Sequence, residues 1–191
     1  MTTRRNFLVG AAGLCGAAVF PVGAISIAHS GSERARSVLF LSDRPGPPQP
    51  EPDTAVERRA LSLDLAADPM NFDGAALLQQ GHTALLAQGS PTTLFALRSQ
   101  LGSHWRVIVK GLHGVDGPGL HRLETADAVA PDLASMLAGA RDEDAFAAVL
   151  MQLSGNASAM STAENSVHHV QSRHWAGDAR ASLLAWPTRI L

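Results

Sequence analysis

The sequence predicts an α/β fold: one domain with a mixed parallel and antiparallel sheet, flanked by helices and ending in a C-terminal β-hairpin. Three observations carry that expectation. Val38-Leu39-Phe40-Leu41 is a continuous apolar run, the pattern of a strand covered on both faces. His82 to Thr125 reads as strand, tight turn, capped helix, strand, glycine-rich turn and strand, so the two element types alternate. Within it only six residues, Gly114 to Gly119, separate two strand-like runs. That is too few for a parallel crossover, so this pair is an antiparallel hairpin.

The first 28 residues lie outside the domain. Thr3-Arg4-Arg5-Asn6-Phe7-Leu8 precedes a Gly- and Ala-rich apolar run, Val9 to Ala28. The hexapeptide resembles the leader of bacterial twin-arginine (Tat) exported proteins: a Ser or Thr, two arginines, any residue, then Phe-Leu. The resemblance covers the leader alone. It implies recognition of Arg4 and Arg5 by the Tat translocase, cleavage after Ala24 or Ala28, and a periplasmic or secreted mature protein. About 20 apolar residues also suffice to span a bilayer. Four glycines and Pro21 make this run a poor stable span, so none is expected after cleavage.

Residues 29–36 are polar and expected to be disordered. Asp43-Arg44 closes the first strand. The segment 45–52, with five prolines, excludes helix and central strand and is expected to form a stiff surface loop. Ala60 to Leu65 alternates, with Leu61, Leu63 and Leu65 on one face, as in a half-buried strand. A short helix is expected over Asn71 to Gln80, with Phe72, Ala75, Ala76 and Leu77 or Leu78 inward and Gly81 ending it. Flanking glycines make Thr83 to Ala87 a strand.

Ser90 caps the next helix, Pro91 takes its first position, and Leu94, Leu97 and Leu101 recur at helical spacing before Gly102 stops it. Trp105 to Val109 is β-branched and aromatic-rich, a buried strand. Beyond the hairpin, Pro131 to Ala138 is a short helix. Glu143 to Leu153 is the clearest one, capped by Asp142 and striped by Phe146, Val149, Leu150 and Leu153. Gly155 to Asn165 is a loop, and Val167 to Trp175 with Ala181 to Trp186 reads as a terminal hairpin. Residues 37–191 form the single predicted domain.

Removing the leader takes Arg4, Arg5 and the one cysteine, Cys15. Of 15 basic residues 13 then remain against 17 acidic ones, a formal charge of −4. A mildly acidic exported domain has no electrostatic case for nucleic acid. Without a thiol, the mature chain forms no disulfide, iron–sulfur cluster, blue-copper thiolate site or covalent c-type haem.

Two groups of residues can carry chemistry. Six of the eight histidines lie beyond residue 100. A six-residue loop pairs His113 with Leu120 and leaves His121 one step away. His168 and His174, six apart, share one side of a strand, with His169 on the other. Two imidazoles from each hairpin, His113, His121, His168 and His174, would make a candidate site for Zn²⁺ or Cu²⁺. None of their spacings is a known metal motif, and the same residues fit polar surface positions.

The second group lies at strand ends. Gln88 to Thr93 puts free N–H groups and the hydroxyls of Ser90, Thr92 and Thr93 at a helix N-terminus, a seat for anions. Lys110, the only lysine, and Asp43, at the carboxyl end of a strand, join them as candidate ligand-binding residues. Ser90, His113 and Asp116 have the residue types of a hydrolase triad. No Gly-x-Ser-x-Gly elbow is present, however, and capping alone accounts for Ser90.

Three classes of function follow. The foremost is an exported accessory or small-ligand-binding protein without catalytic activity, its partner an exported enzyme or a small ligand. The others are a His-ligated zinc or copper protein, and a small hydrolase using Ser90, His113 and Asp116. The sequence specifies no cofactor.

Overall fold

A computed structural model describes residues 36–44, 54–67, 73–154 and 164–188. The leader, residues 29–35, the proline-rich segment 45–52, the first turn expected at Asn71 and most of the 155–165 loop lie outside the described residues. In chain order the elements are β1 (Arg36–Ser42), β2 (Thr54–Ala60), α1 (Leu63–Ala67), α2 (Gly74–Gln79), β3 (Ala84–Gly89) and α3 (Pro91–Leu101). A 3₁₀ turn (Gly102–His104) leads to β4 (Trp105–His113), β5 (Leu120–Ala126), α4 (Ala130–Gly139), α5 (Glu143–Leu153), β6 (Asn165–Gln171) and β7 (Arg180–Pro187). The strands form one sheet in the order β2-β1-β3-β7-β4-β5-β6. β1 runs parallel to β2 and β3, and every other pair is antiparallel. The chain is α/β with a mixed sheet.

Helices cover both faces. On one, Leu39 and Leu41 of β1, Leu85 and Ala87 of β3, and Ala181, Leu183 and Ala185 of β7 pack with Leu77, Leu94, Leu97 and Leu101 from the helices. Each fully buried leucine contributes about 1.5–3 kcal/mol. Local chemistry sets α3 as expected: the Ser90 hydroxyl accepts from the Thr93 N–H, and Pro91 opens the helix. Gly74 at the start of α2 lets that helix approach α3, since a Cβ there would lie 2.4 Å from the Leu101 carbonyl oxygen. On the second face, α5 packs on β3 and β7, and α4 on β5 and β6. These bury Phe146, Leu150, Leu133 and Leu137. Asp142 caps α5 by accepting from the Ala145 N–H at 2.9 Å.

Three expectations are corrected. Residues 60–65 do not form a strand: β2 lies upstream, and α1 begins at Leu63. Leu61 plugs the core (2% exposed), whereas Leu63 is 46% exposed, so these two leucines do not share one buried face. Second, both C-terminal strands exist but do not pair with each other. β7 is inserted between β3 and β4, and β6 lies beyond β5 at the edge. The apolar run Ala181 to Trp186 is buried throughout, and a strand apolar on both sides belongs in the middle of a sheet. Third, the central hairpin pairs His113 with His121, not with Leu120. Leu120 instead accepts the Gly114 N–H at 2.9 Å, which closes the turn one residue earlier.

β4 also carries a bulge between Val107 and Val109 against β7. The displaced Ile108 carbonyl is satisfied by the buried Thr125 hydroxyl at 3.1 Å. Beyond the bulge, Val109, Gly111 and His113 face α5 with their β5 partners Thr125, Leu123 and His121.

Candidate functional site

The polar residues of the core gather where β4 ends and β5 and β7 begin. His113 closes β4, with His121 directly across on β5. Ser182 of β7 lies opposite Gly111. The two imidazoles meet Nδ1 to Nδ1 at 3.2 Å, and His113 Nε2 meets the Ser182 Oγ at 3.1 Å. Neighbouring rings wall the pair in. Trp175 stacks on His113 with centroids 5.0 Å apart and meets His121 edge-on at 4.6 Å, while Phe146 meets His113 edge-on at 5.1 Å. Gly111 makes the room, since a Cβ there would come within 2.7 Å of the His113 ring.

Burial sets the charge state. His113 is wholly buried and His121 nearly so. Desolvation lowers the His113 pKa from 6.5 to about 3, with His121 adding to the drop. Desolvation alone lowers His121 to about 4. Both rings are neutral at neutral pH, so one proton lies between them and the Ser182–His113–His121 chain runs in either direction with the tautomers. Among the described residues His121 Nε2 has no hydrogen-bond partner at the far end.

Beside this chain sits a charged cluster. Arg180 opens β7 opposite His113. Its Nε donates to Glu143 Oε2 at 2.7 Å, its Nη1 to Asp43 Oδ2 at 2.7 Å, and its Nη2 to Asp43 Oδ1. Gln88 of β3 fastens α5 by donating to the Glu143 carbonyl at 2.9 Å. Burial pushes the Glu143 carboxyl up, against the pull of the Arg180 guanidinium. Burial works to lower the Arg180 pKa, but the hydrogen bonds to Asp43 and Glu143 outweigh it and hold the guanidinium charged.

The expected sites are only partly assembled. Of the four histidines assigned to a metal, His113 and His121 come together. His168 instead lies 3.3 Å from Asp127, and His174 is exposed beyond the end of β6. Among the described residues no group of three or more His, Cys, Asp or Glu side chains is arranged to hold a metal ion. Of the ligand-binding set, the Asp43 carboxylate is committed to Arg180, and Lys110 is held by Glu124 at 3.3 Å. The Ser90 and Thr93 hydroxyls bond each other at 2.8 Å, and Thr92 is exposed. The hydrolase types do not meet through hydrogen bonds: Ser90 bonds Thr93, His113 bonds His121 and Ser182, and Asp116 lies exposed in the turn.

Sequence reasoning missed Arg180, Glu143, Ser182 and Trp175. In the sequence Glu143 stands out only as the first residue of a helix, and an arginine at the mouth of an apolar strand is the available signal for a buried ion pair.

A third cluster lies where β1 and β3 begin. His82 Nδ1 meets the Ser37 Oγ at 3.1 Å, and its Nε2 lies 3.3 Å from Glu57 Oε2 without an aligned hydrogen bond. Arg59 takes the other Glu57 oxygen at 2.6 Å. The cluster ties β2 to the approach to β3.

An open recess of about 310 Å³ lies between the β4–β5 turn and β6, lined by Asp116, Leu120, His121, His169, Val170 and Gln171. Leu120 is paired with Gln171, and Arg122 with His169, so their side chains rise from one face of the sheet. Comparison with protein-family models, curated proteins and solved structures gave no match.

Proposed function

We propose that the chain is an exported, non-catalytic binding protein that takes a small polar ligand in the recess beside the β4–β5 turn. The recess itself supports this reading. Its volume, about 310 Å³, is at the small end of the range for small-molecule sites. Exposed Asp116, His169 and Gln171 stand beside Leu120 and Val170 in its lining. A carboxylate, an imidazole and an amide offer donors and acceptors that match a small polar ligand. The buried groups point the same way, because His113, His121 and Ser182 direct their hydrogen bonds at one another.

Export rests on Thr3 to Leu8. Arg4→Lys with Arg5→Lys leaves the precursor in the cytoplasm, because lysine replaces a guanidinium pair poorly. Normal processing of that variant removes the export reading. Ligand binding is tested by a thermal-unfolding screen of inorganic anions, small carboxylates, amines and sugars. A ligand at a hundredfold excess over its Kd stabilises the fold by about 2.7 kcal/mol. Replacing His169 and Gln171 together by alanine abolishes that stabilisation. A shift that survives the double replacement, or no shift with any class, sinks the reading.

A further inference from the structure

We propose that two copies of the chain associate edge to edge through β6, extending the sheet across a twofold axis. Among the described residues the sheet has two edges, β2 and β6, and they are built differently. β2 reads Thr-Ala-Val-Glu-Arg-Arg-Ala and carries three consecutive charges, with Glu57 and Arg59 paired at 2.6 Å. Charges on an edge strand are a standard means of blocking further pairing. β6 reads Asn-Ser-Val-His-His-Val-Gln, with no acidic residue, lysine, arginine, proline or glycine. It pairs with β5 over seven residues in unbroken register, so no bulge turns its free side away. Val167 on this strand is 55% exposed and Leu120 on its neighbour 41%, both on the face that carries the recess.

A second copy is the occupant that the edge chemistry favours. Identical edges related by a twofold axis normal to the sheet pair antiparallel. With the axis at His168, all seven residues of β6 find a partner: Val167 faces His169 of the copy, Ser166 faces Val170, and Asn165 faces Gln171. No formally charged side chain faces a like charge. The same operation on β2, centred on Glu57, sets that carboxylate against itself, which disfavours pairing there. The association stands on the strand edges alone and does not depend on a ligand in the recess.

Sedimentation of the full chain over a concentration series tests this. The wild type shows a reversible monomer–dimer equilibrium. Val167→Lys with His169→Lys places lysine opposite lysine twice across the axis and weakens the dimer at least about tenfold. Both positions are exposed, so the monomer keeps its fold, as circular dichroism checks. Ala55→Lys on β2 leaves the equilibrium unchanged. A wild type that stays monomeric at its highest soluble concentration overturns the proposal. So does a dimer that survives the paired lysines, or a wild-type monomer that adds an extended peptide along β6 instead of a copy of itself.

Discussion

Two polar clusters share one end of the core, adjacent through the pairing of His113 with Arg180, and they are buried by opposite means. The Arg180 cluster keeps its charge. A guanidinium with five donors spans two carboxylates, so each ion meets opposite charge at hydrogen-bond distance. The histidine cluster gives up its charge. Among the described residues neither imidazole has a carboxylate in contact, and both stay neutral among Trp175, Phe146 and Ser182. The difference teaches that tolerance of buried polarity depends on what the group can shed. Arginine has no accessible neutral form and must be surrounded; histidine can release its proton and be packed like an aromatic ring.

Acid is the most powerful way to break that difference. The folded-state pKa values of His113 and His121, about 3 and about 4, lie below the ordinary 6.5. As pH falls, the unfolded chain therefore takes up protons first. Their contribution is intact above about pH 6.5. It is lost below that point by up to about 1.4 kcal/mol per pH unit for each imidazole, until the folded values are reached. Urea unfolding at stepped pH shows the loss as a slope between pH 6.5 and 4. His113→Gln with His121→Gln flattens the slope, whatever it does to stability at pH 7. An unchanged slope would show that neither ring carries the acid sensitivity.

Breaking the charged cluster has a smaller effect at neutral pH. Arg180→Met leaves Asp43 and Glu143 facing each other without compensation and costs about 3 kcal/mol at pH 7, read from the urea midpoint. The partial exposure of Asp43 puts the loss at the low end of the range for buried pairs. A cost under about 1 kcal/mol, the size of a surface ion pair, would mean that water compensates the carboxylates.

The sequence was most legible where local chemistry decides structure. Ser90 with Pro91, Asp142 and the Phe146–Leu150 stripe each carry their own cap or period, and α3 and α5 lie where those signals put them. It was less legible where partners are distant in the chain. Alternation over Leu61, Leu63 and Leu65 is real in the sequence, yet only position 61 has a core to enter among the described side chains of that trio. The same holds for β6 and β7, whose spacing fits a hairpin although their neighbours are β5, β3 and β4. At the candidate site, the His113–His121 juxtaposition was within reach, with the register out by one residue. Arg180 and Asp43, separated by 137 positions, had no local sign of meeting.

The insertion of β7 between β3 and β4 has a consequence for how the protein is made. That strand comes last in chain order among the described elements, yet it joins the parallel strands to the antiparallel ones. While the chain emerges from the ribosome, β3 and β4 have no bond to each other, and the gap between them is lined with apolar side chains. Only β7, the last described strand in chain order, fills it. The sheet is therefore completed late, with contacts of long sequence separation closing last and slowly. Until then, the nascent chain exposes two adhesive strand edges, the interval in which a chaperone would have most to protect.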